Sequence, residues 1–195
     1  MVKFQYPCEI DYKSLSSMDA GLRAALVSEI GGGEDRPGDN TVEALLPMAR
    51  FFFPRASLLW MRLPADMSAF GAGEALAAAA GRLGRSVAVL ASADLTHYGP
   101  GYGFAPAGLG AGALRWVREV NDRRFIEAVG SGDPAAALER AEREMSSCSA
   151  GAVAGAMGFA RAVGAGPARL IEYGTSAGAE ADPRGPFVGY AALAF

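Results

Sequence analysis

The chain contains one histidine, His97, within the stretch ASADLTHYGPGYGF, three positions after Asp94. A carboxylate beside an imidazole can fix its tautomer, and the imidazole can then act as a general base near neutral pH. The preceding run SVAVLAS, residues 86–92, is apolar on both faces and is typical of a buried central strand. Because ligands of α/β folds bind at the carboxyl ends of strands, Asp94, His97 and Tyr98 are candidate site residues. The alternative is a histidine that caps a strand end and bonds to the backbone.

Cys148 is the second chemical candidate, since it follows two serines and begins a predicted helix of small residues. The dipole of that helix would favour a thiolate, which is a nucleophile or a metal ligand. The alternative is a buried, inert cysteine. Gly151 and Gly155 are predicted to allow close helix packing rather than to bind phosphate. Cys8 has no partner at CxxC spacing, so we interpret it as structural and expect no structural zinc site.

Composition limits the functional classes that need to be considered. A chain of 195 residues with 51% hydrophobic and 20% charged residues is expected to form one globular domain, residues 1–195. The net charge of −3 gives no basic surface for nucleic acid. No apolar run is long enough to span a membrane, and the first residues do not resemble a signal peptide. Two distant cysteines are typical of a reducing compartment, so we expect a cytoplasmic protein.

Helical and strand patterns alternate along the chain, which predicts an α/β sandwich with a largely parallel sheet. The helix that begins at Asp133 and Pro134 has the clearest start, and Glu139 and Arg143 should pair along it. The other helices are predicted at 14–30 with Ser16 or Ser17 as N-cap, 41–52 with a kink or an earlier end at Pro47, 71–84, 113–129 and 148–164. The strands are predicted at 57–63, 86–92, 168–175 and 187–195.

The stretch VAVLASADLTHYGPGYGF resembles the "SSDLSHY" signature of the Memo family, also called AmmeMemoRadiSam system protein B. That family is related to LigB, the catalytic subunit of class III extradiol dioxygenases. The segment DNTVEALLPMARFFFP resembles the family's "EHSIEVQLPFL" helix, and NDRRFIEAVGSGDPAAALE resembles the helix pair after the signature. Further on, SSCSAGAVAGAMGFARAVGAGPARLIEYGTSAG and VGYAALAF resemble the cysteine-bearing helix, the "YxTSG" strand and the final strand. The resemblance runs from about Phe4 to Phe195.

The resemblance implies a site assembled from several segments. In the family, two N-terminal motifs supply histidines and a later helix supplies a cysteine, which corresponds to Cys148. Asp94 and His97 occupy the Asp–His pair, whose histidine resembles the catalytic base of the dioxygenases. Tyr98 and Tyr102 are candidate substrate-binding residues. The two N-terminal histidines have no counterpart, and Asn40 stands where "EHSIE" has its histidine.

This departure from the family pattern shapes the expected fold and cofactor. The resemblance implies a three-layer sandwich with a largely parallel central sheet, LigB/Memo-like and N-terminally shortened. An iron or copper site needs about three protein ligands, so no independent metal site is expected; if a metal binds, Cys148 is its ligand. A shortened sheet would leave an exposed edge, which favours a homo-oligomer or a partner protein. The family association implies AMMECR1-like or radical-SAM partners, together with a small-molecule ligand.

Three hypotheses about function follow. In the first, a Memo-like protein with an incomplete metal site keeps a pocket at Asp94, His97 and Cys148 and is a binding or scaffold subunit. In the second, a LigB-like metal-dependent oxidoreductase of the dioxygenase class uses His97 as its base, and another chain completes the site. In the third, the chain is a decaying paralogue without chemistry.

Overall fold

A computed structural model describes residues 3–5, 19–35, 40–178 and 185–195. The α-helices are α1 (Ala20–Ile30), α2 (Asn40–Phe52), α3 (Met67–Arg82), α4 (Ala111–Trp116), α5 (Asp122–Gly130), α6 (Pro134–Glu144) and α7 (Ala150–Ala162). The strands are β1 (Lys3–Gln5), β2 (Gly33–Asp35), β3 (His97–Tyr98), β4 (Arg169–Thr175) and β5 (Phe187–Ala194). The protein is therefore a mixed α/β structure in which helices predominate. Cys8, Ser16 and Ser17 lie outside the described residues.

Small residues let α3 and α7 pack with their backbones nearly in contact. A β-carbon added at Gly158 would lie 2.0 Å from the carbonyl oxygen of Phe70, and one at Gly151 would lie 2.3 Å from that of Pro64. At Gly155 the added atom would lie 2.4 Å from the flexible end of the Leu63 side chain, which can shift. Backbone atoms cannot give way in this manner, so Gly151 and Gly158 require glycine. The predicted helix-packing role of Gly155 is confirmed, because a β-carbon at Gly73 of α3 would lie 1.9 Å from the carbonyl oxygen of Gly155. Gly151 also allows a close approach, but to Pro64, which precedes α3.

The sheet of the described residues has three strands in the order β3-β5-β4, and both pairings are antiparallel. The described parallel pairing joins the short strands β1 and β2. The largely parallel central sheet and the three-layer sandwich expected from the sequence are therefore not seen among the described residues. The expectation came from counting each apolar run between helices as one strand of a common sheet.

Two of those apolar runs form no strand, so the predictions of strands at 57–63 and 86–92 were wrong. A strand requires hydrogen-bonded neighbours, and 86–92 has no ladder with any described residue; 57–63 has only isolated bridges, at Leu58 and Arg62. Val87 and Val89 pack against the core formed by α1 and α3, whereas Leu90 is 66% exposed. The run is therefore covered on one side and not on both.

The helices agree better with the sequence, although several boundaries differ. Helix α1 begins after Asp19, whose carboxylate accepts from the backbone N–H of Leu22 at 2.9 Å, rather than after Ser16 or Ser17. Helix α2 contains Pro47, and α6 begins at Pro134 with Asp133 as its N-cap, as predicted. The predicted Glu139–Arg143 pair forms at 3.2 Å. The strands predicted at 168–175 and 187–195 are confirmed as β4 and β5.

The predicted helix over 113–129 is interrupted by a wider turn. A π-helical segment, Val117–Asn121, joins α4 to α5 without breaking the path of the chain. Segments of this kind are rare and recur at functional sites. Here the turn leaves two consecutive polar residues, Asn121 and Asp122, buried. Within the described ranges, no helix has the length and apolar character needed to cross a membrane.

Candidate functional site

Asp94, His97 and Cys148 come together although 51 residues separate the last two in the sequence. One carboxylate oxygen, one imidazole nitrogen and the thiol sulfur all lie within 4.8 Å of one another. The first two side chains are partly buried and the cysteine is exposed, so the cluster opens to solvent. The sequence-predicted set of three is thus a single cluster in space.

Within the cluster, Asp94 contacts the imidazole directly. Its Oδ2 lies 3.2 Å from Nε2 of His97. In the tautomer that carries its proton on Nε2, His97 donates to Asp94 and keeps a lone pair on Nδ1. Asp94 can therefore orient the imidazole of His97, whose Nδ1 can accept a proton from a bound hydroxyl. The ring of Tyr102 lies beside the imidazole, with ring centroids 5.0 Å apart.

The backbone of Asp94 is tied to the segment that carries the cysteine. The carbonyl of Asp94 accepts from the backbone N–H of Cys148 at 3.2 Å and from the hydroxyl of Ser147 at 3.0 Å. In return, the N–H of Asp94 donates to Sγ of Cys148 at 3.4 Å. These bonds fix the approach of the thiol to the carboxylate. Helix α7 begins two residues later, at Ala150, so Cys148 precedes the helix rather than beginning it.

Strand β5 holds the other side of the same loop. The N–H of Leu95 donates to the carbonyl of Gly189 at 3.0 Å, and the N–H of Gly189 donates to the carbonyl of Thr96 at 2.9 Å. The short strand β3 continues this pairing, with His97 opposite Val188. His97 therefore lies on an edge strand of the sheet and not on a free loop.

Beneath the cluster lies a buried polar network centred on Asp122. Its Oδ1 accepts from the backbone N–H of Thr96 at 3.1 Å and from the hydroxyl of the same residue. Its Oδ2 accepts from the hydroxyl of Tyr173 at 2.7 Å. Burial raises the pKa of Asp122 despite these three donors, and burial together with the negative charge of Asp122 raises the pKa of Tyr173 well above its usual range.

Asn121 extends this network to the end of α6. Its amide nitrogen donates to the hydroxyl of Thr96 at 2.8 Å and to the carbonyl of Glu144 at 3.0 Å. Met145, which follows, has a φ of 49°, in the left-handed region that is uncommon for a residue with a side chain. The chain therefore turns sharply just before Cys148, and the hydrogen bond from Asn121 to the carbonyl of Glu144 stabilises this turn.

The two tyrosines predicted to bind substrate occupy different environments. Tyr98 is 1% exposed and its ring stacks on Phe187. Its hydroxyl donates to the carbonyl of Gly108 at 3.0 Å and accepts from the N–H of Ala107 at 2.9 Å. Both polar contacts of Tyr98 are therefore used inside the protein, which favours a packing role. Tyr102 is half-exposed beside His97 and can contact a ligand.

Sequence reasoning missed Tyr190, which lies at the rim of the cluster. Partial burial raises the pKa of this exposed phenol, and the negative charge of Asp94 and the nearby phenol of Tyr102 raise it further. Tyr190 is therefore within electrostatic reach of both residues. No sequence signal marks Tyr190, because its proximity to Asp94 arises from the fold.

Sequence reasoning also missed the buried network. Asn121 and Asp122 stand in the stretch VREVNDRRFI, where charged residues flank them on both sides. The sequence therefore gives no sign that these two polar residues are buried. Both residues lie at the end of the π-helical segment, which the sequence does not predict.

The cluster has ligand types that suit a metal ion, but its ligand atoms are farther apart than a bound ion requires. A thiolate, an imidazole and a carboxylate are all accepted ligands of transition metals. Ligand atoms around one tetrahedral ion stand about 3.3–3.8 Å apart, given bonds of about 2.0–2.3 Å. The three atoms here lie within 4.8 Å, so a small inward movement would be needed, and His97 would exchange its Nε2 contact with Asp94 for the metal.

Comparison with known proteins places these residues in a family. The family model for Memo-like proteins matches residues 41–194, which include the whole cluster and its supporting network. A MEMO1 family protein of Methanopyrus kandleri is 28% identical over 186 residues, and one of Methanothermobacter thermautotrophicus is 28% identical over 185 residues. A third, from Thermococcus kodakarensis, is 34% identical over 125 residues.

These alignments cover 91%, 90% and 63% of this chain, respectively. They cover 60%, 61% and 42% of the relatives, so the chain spans about three fifths of the length of the first two. The family match extends over most of the chain and agrees with the resemblance recognised from the sequence motifs. The chain belongs to the Memo family.

Proposed function

We propose that the protein is a Memo-like binding subunit whose ligand site is the cluster of Asp94, His97 and Cys148. The single observation that carries this proposal is the meeting of a carboxylate, an imidazole and a thiol within 4.8 Å at a surface open to solvent. Inert polar residues are usually dispersed or fully paired, whereas these three converge on one exposed spot. Tyr102 and Tyr190 would line the rim and favour a small aromatic or phenolic ligand.

The metal site of this subunit is incomplete. Asp94 and His97 contact each other, and an ion could gain all three donors only by breaking this contact, so the chain alone should hold iron or copper weakly. When bound, such an ion would supply Lewis acidity toward a ligand oxygen. The residues of this chain would orient the ligand and receive its proton.

The proposal is tested by metal retention. The purified chain is incubated with one equivalent of Fe(II), Cu(I) or Zn(II), dialysed against a chelator and analysed for metal content. We expect retention well below one equivalent, and still lower retention for Cys148→Ala. Cys8→Ser serves as the matched control and should retain as much metal as the wild type. Retention of a full equivalent would show a complete site in one chain, and identical retention by Cys148→Ala would place the metal elsewhere.

A second candidate function is that of a LigB-like oxidoreductase of the dioxygenase class, completed by another chain. The 3.2 Å contact between Asp94 and His97 favours it, because an imidazole oriented in this way suits a general base. In this mechanism Nδ1 of His97 takes the proton of a phenolic hydroxyl while Asp94 stabilises the resulting imidazolium. Turnover of catechol by the isolated chain with Fe(II), lost in His97→Ala, would favour this function over the binding role.

The partner and the full fold are part of the same proposal. The expected homo-oligomer or complex with an AMMECR1-like or radical-SAM protein is supported by large apolar side chains at the surface, among them Leu90 and Ile171. The three-layer, largely parallel sandwich implied by the LigB relationship would require further strands beside residues 86–92. A cytoplasmic location is proposed from the cysteine content alone.

A further inference from the structure

The two segments that supply the cluster are both held by the same pair of buried residues. Thr96 stands between Asp94 and His97, and its N–H and hydroxyl both donate to Asp122. Glu144 ends α6, four residues before Cys148, and its carbonyl accepts from Asn121. Asn121 also donates to the hydroxyl of Thr96.

Both side chains lie in the interior at the end of the π-helical turn. Asn121, the last residue of the π-helical segment, is 1% exposed, and Asp122, the first residue of α5, is 0% exposed. Asn121 donates to the end of α6, and Asp122 accepts from the loop of His97.

The surroundings of Asp122 leave the carboxylate little freedom. A β-carbon at Gly189 would lie 2.0 Å from its Oδ2 and 3.2 Å from the β-carbon of Leu95. Tyr173 closes the remaining side through its hydroxyl. A carboxylate that is buried, fully hydrogen-bonded and closely packed is a rigid anchor, and the strength of its bonds increases in a site of low dielectric constant.

We propose that Asn121 and Asp122 are positioning residues that set the separation between His97 and Cys148. Neither is a member of the exposed cluster; they act through Thr96 and through the turn after α6. The inference deepens the proposed function, since it names what holds the ligand site in its geometry. It also gives the π-helical turn a role, since this turn ends at Asn121 and leads directly into Asp122.

The test uses readouts that need no ligand, in a Cys8→Ser background that leaves Cys148 as the one cysteine. The first readout is the rate at which iodoacetamide alkylates Cys148. The second is the proton and nitrogen NMR spectrum of the imidazole, which is unambiguous because the chain has one histidine. The third is hydrogen exchange at the Thr96 amide. The full chain is used throughout, and folding of each variant is verified by circular dichroism.

Asn121→Ala should free the turn before Cys148, weaken the contact of its sulfur with the Asp94 N–H and raise the alkylation rate severalfold. Asp122→Ala should raise exchange at the Thr96 amide by about tenfold or more, as expected for the loss of one buried hydrogen bond. It should also move the His97 signals toward those of a free imidazole. Tyr173→Phe is the matched control. It removes one bond to the same carboxylate but leaves both bonds to Thr96, so all three readouts should change much less than in Asp122→Ala.

If Asn121→Ala and Asp122→Ala fold and all three readouts are unchanged, the inference is overturned. Should both fail to fold, Thr96→Val removes the shared hydroxyl alone; it must alter the His97 signals, and Thr96→Ser must restore them, or the inference again fails. Absence of metal or ligand binding by the wild type would overturn the proposed function but would leave these results intact.

Discussion

Tyr98 and Tyr102 show how two neighbouring aromatic residues of one loop come to serve different purposes. Both follow His97 closely, and from sequence both are candidates to contact a substrate. The structure buries Tyr98 and uses its hydroxyl twice, whereas Tyr102 remains half-exposed beside the imidazole. Local sequence could not separate them, because the difference arises from Phe187, which is distant along the chain and stacks on Tyr98.

Tyr98→Phe should lower the free energy of unfolding by about 2 kcal/mol, because it leaves a backbone donor and a backbone acceptor without their partner. Chemical denaturation measures this loss, and metal binding at the cluster should not change. The control is Tyr102→Phe, which should alter stability by no more than about 0.5 kcal/mol. If Tyr98→Phe is as stable as the wild type but has lost metal binding, Tyr98 belongs to the binding site.

The three residues of the cluster were predictable for separate reasons. Asp94 and His97 stand three positions apart after an apolar run, and the resemblance to the family motif implied that they form a pair, as their 3.2 Å contact shows. Cys148 is linked to them only through the fold, so local pattern gave it no connection to His97. Asn121, Asp122 and Tyr173 were missed, because their roles depend on hydrogen bonds between segments that no short-range pattern records.

At the scale of elements, the contact between α3 and α7 determines how closely the cysteine segment approaches the rest of the molecule. Their glycines leave no room for a β-carbon at the crossing. The composition of the helix predicted over 148–164 indicated this correctly. Small residues at helical spacing are a direct consequence of close backbone approach, so their pattern is visible in the sequence.

Gly158→Ala should lower the free energy of unfolding by about 1–3 kcal/mol, since the new methyl group would overlap the carbonyl oxygen of Phe70. Gly71→Ala is the matched control on the partner helix. Its added methyl group meets nothing within 4 Å, and the higher helix propensity of alanine should stabilise the protein by up to about 1 kcal/mol. Denaturation midpoints compare the two. Equal effects of the same sign would contradict the described packing.

Strand β4 contributes a pH dependence through Tyr173. Its pKa is raised in the folded protein, so above the ordinary value near 10 the unfolded chain loses this proton first. The unfolded state then binds fewer protons than the native state, and stability falls as pH rises. Below that value the contribution of Tyr173 does not vary with pH.

Between pH 10 and 11.5 the wild type should therefore lose stability faster than Tyr173→Phe, by about 1 kcal/mol per pH unit. This is less than the full value for one proton, because the phenol is partly exposed and screened. Urea unfolding at several pH values gives both slopes. Parallel slopes would mean that Tyr173 ionises normally in the folded protein.

The strand predictions show where element-level reasoning fails. Residues 168–175 and 187–195 form strands because each finds the other as a partner. Residues 86–92 carry an equally apolar pattern but form no ladder with any described residue. An apolar run therefore has a tendency to form a strand, but it does so only if another strand pairs with it. The sequence of the run does not show whether such a partner exists.

At the scale of the whole molecule, the exposed apolar surface supports the proposal that the protein associates with another chain. Leu90 and Ile171 are 66% and 67% exposed, and Phe51 and Phe52 at the end of α2 are exposed as well.

Sedimentation velocity at rising protein concentration should show a species heavier than the 20.1 kDa monomer. Replacement of an apolar residue by a charged one, Ile171→Lys, should shift the distribution toward the monomer, because it places a charge in the desolvated contact. Arg169→Lys, which keeps the charge at an exposed position of the same strand, is the control. If the protein is monomeric at every concentration, self-association is excluded and only association with a different protein remains.

The central claim is that Asp94, His97 and Cys148 form one site, and titration with Co(II) tests it most directly. The wild type and Cys8→Ser should each develop a thiolate-to-cobalt charge-transfer band that fits a single site and saturates only with an excess of Co(II), because the affinity is weak. Cys148→Ser should abolish the band, and His97→Ala should weaken the binding by at least about tenfold. A band that survives Cys148→Ser, or a wild type without any band, would contradict the account.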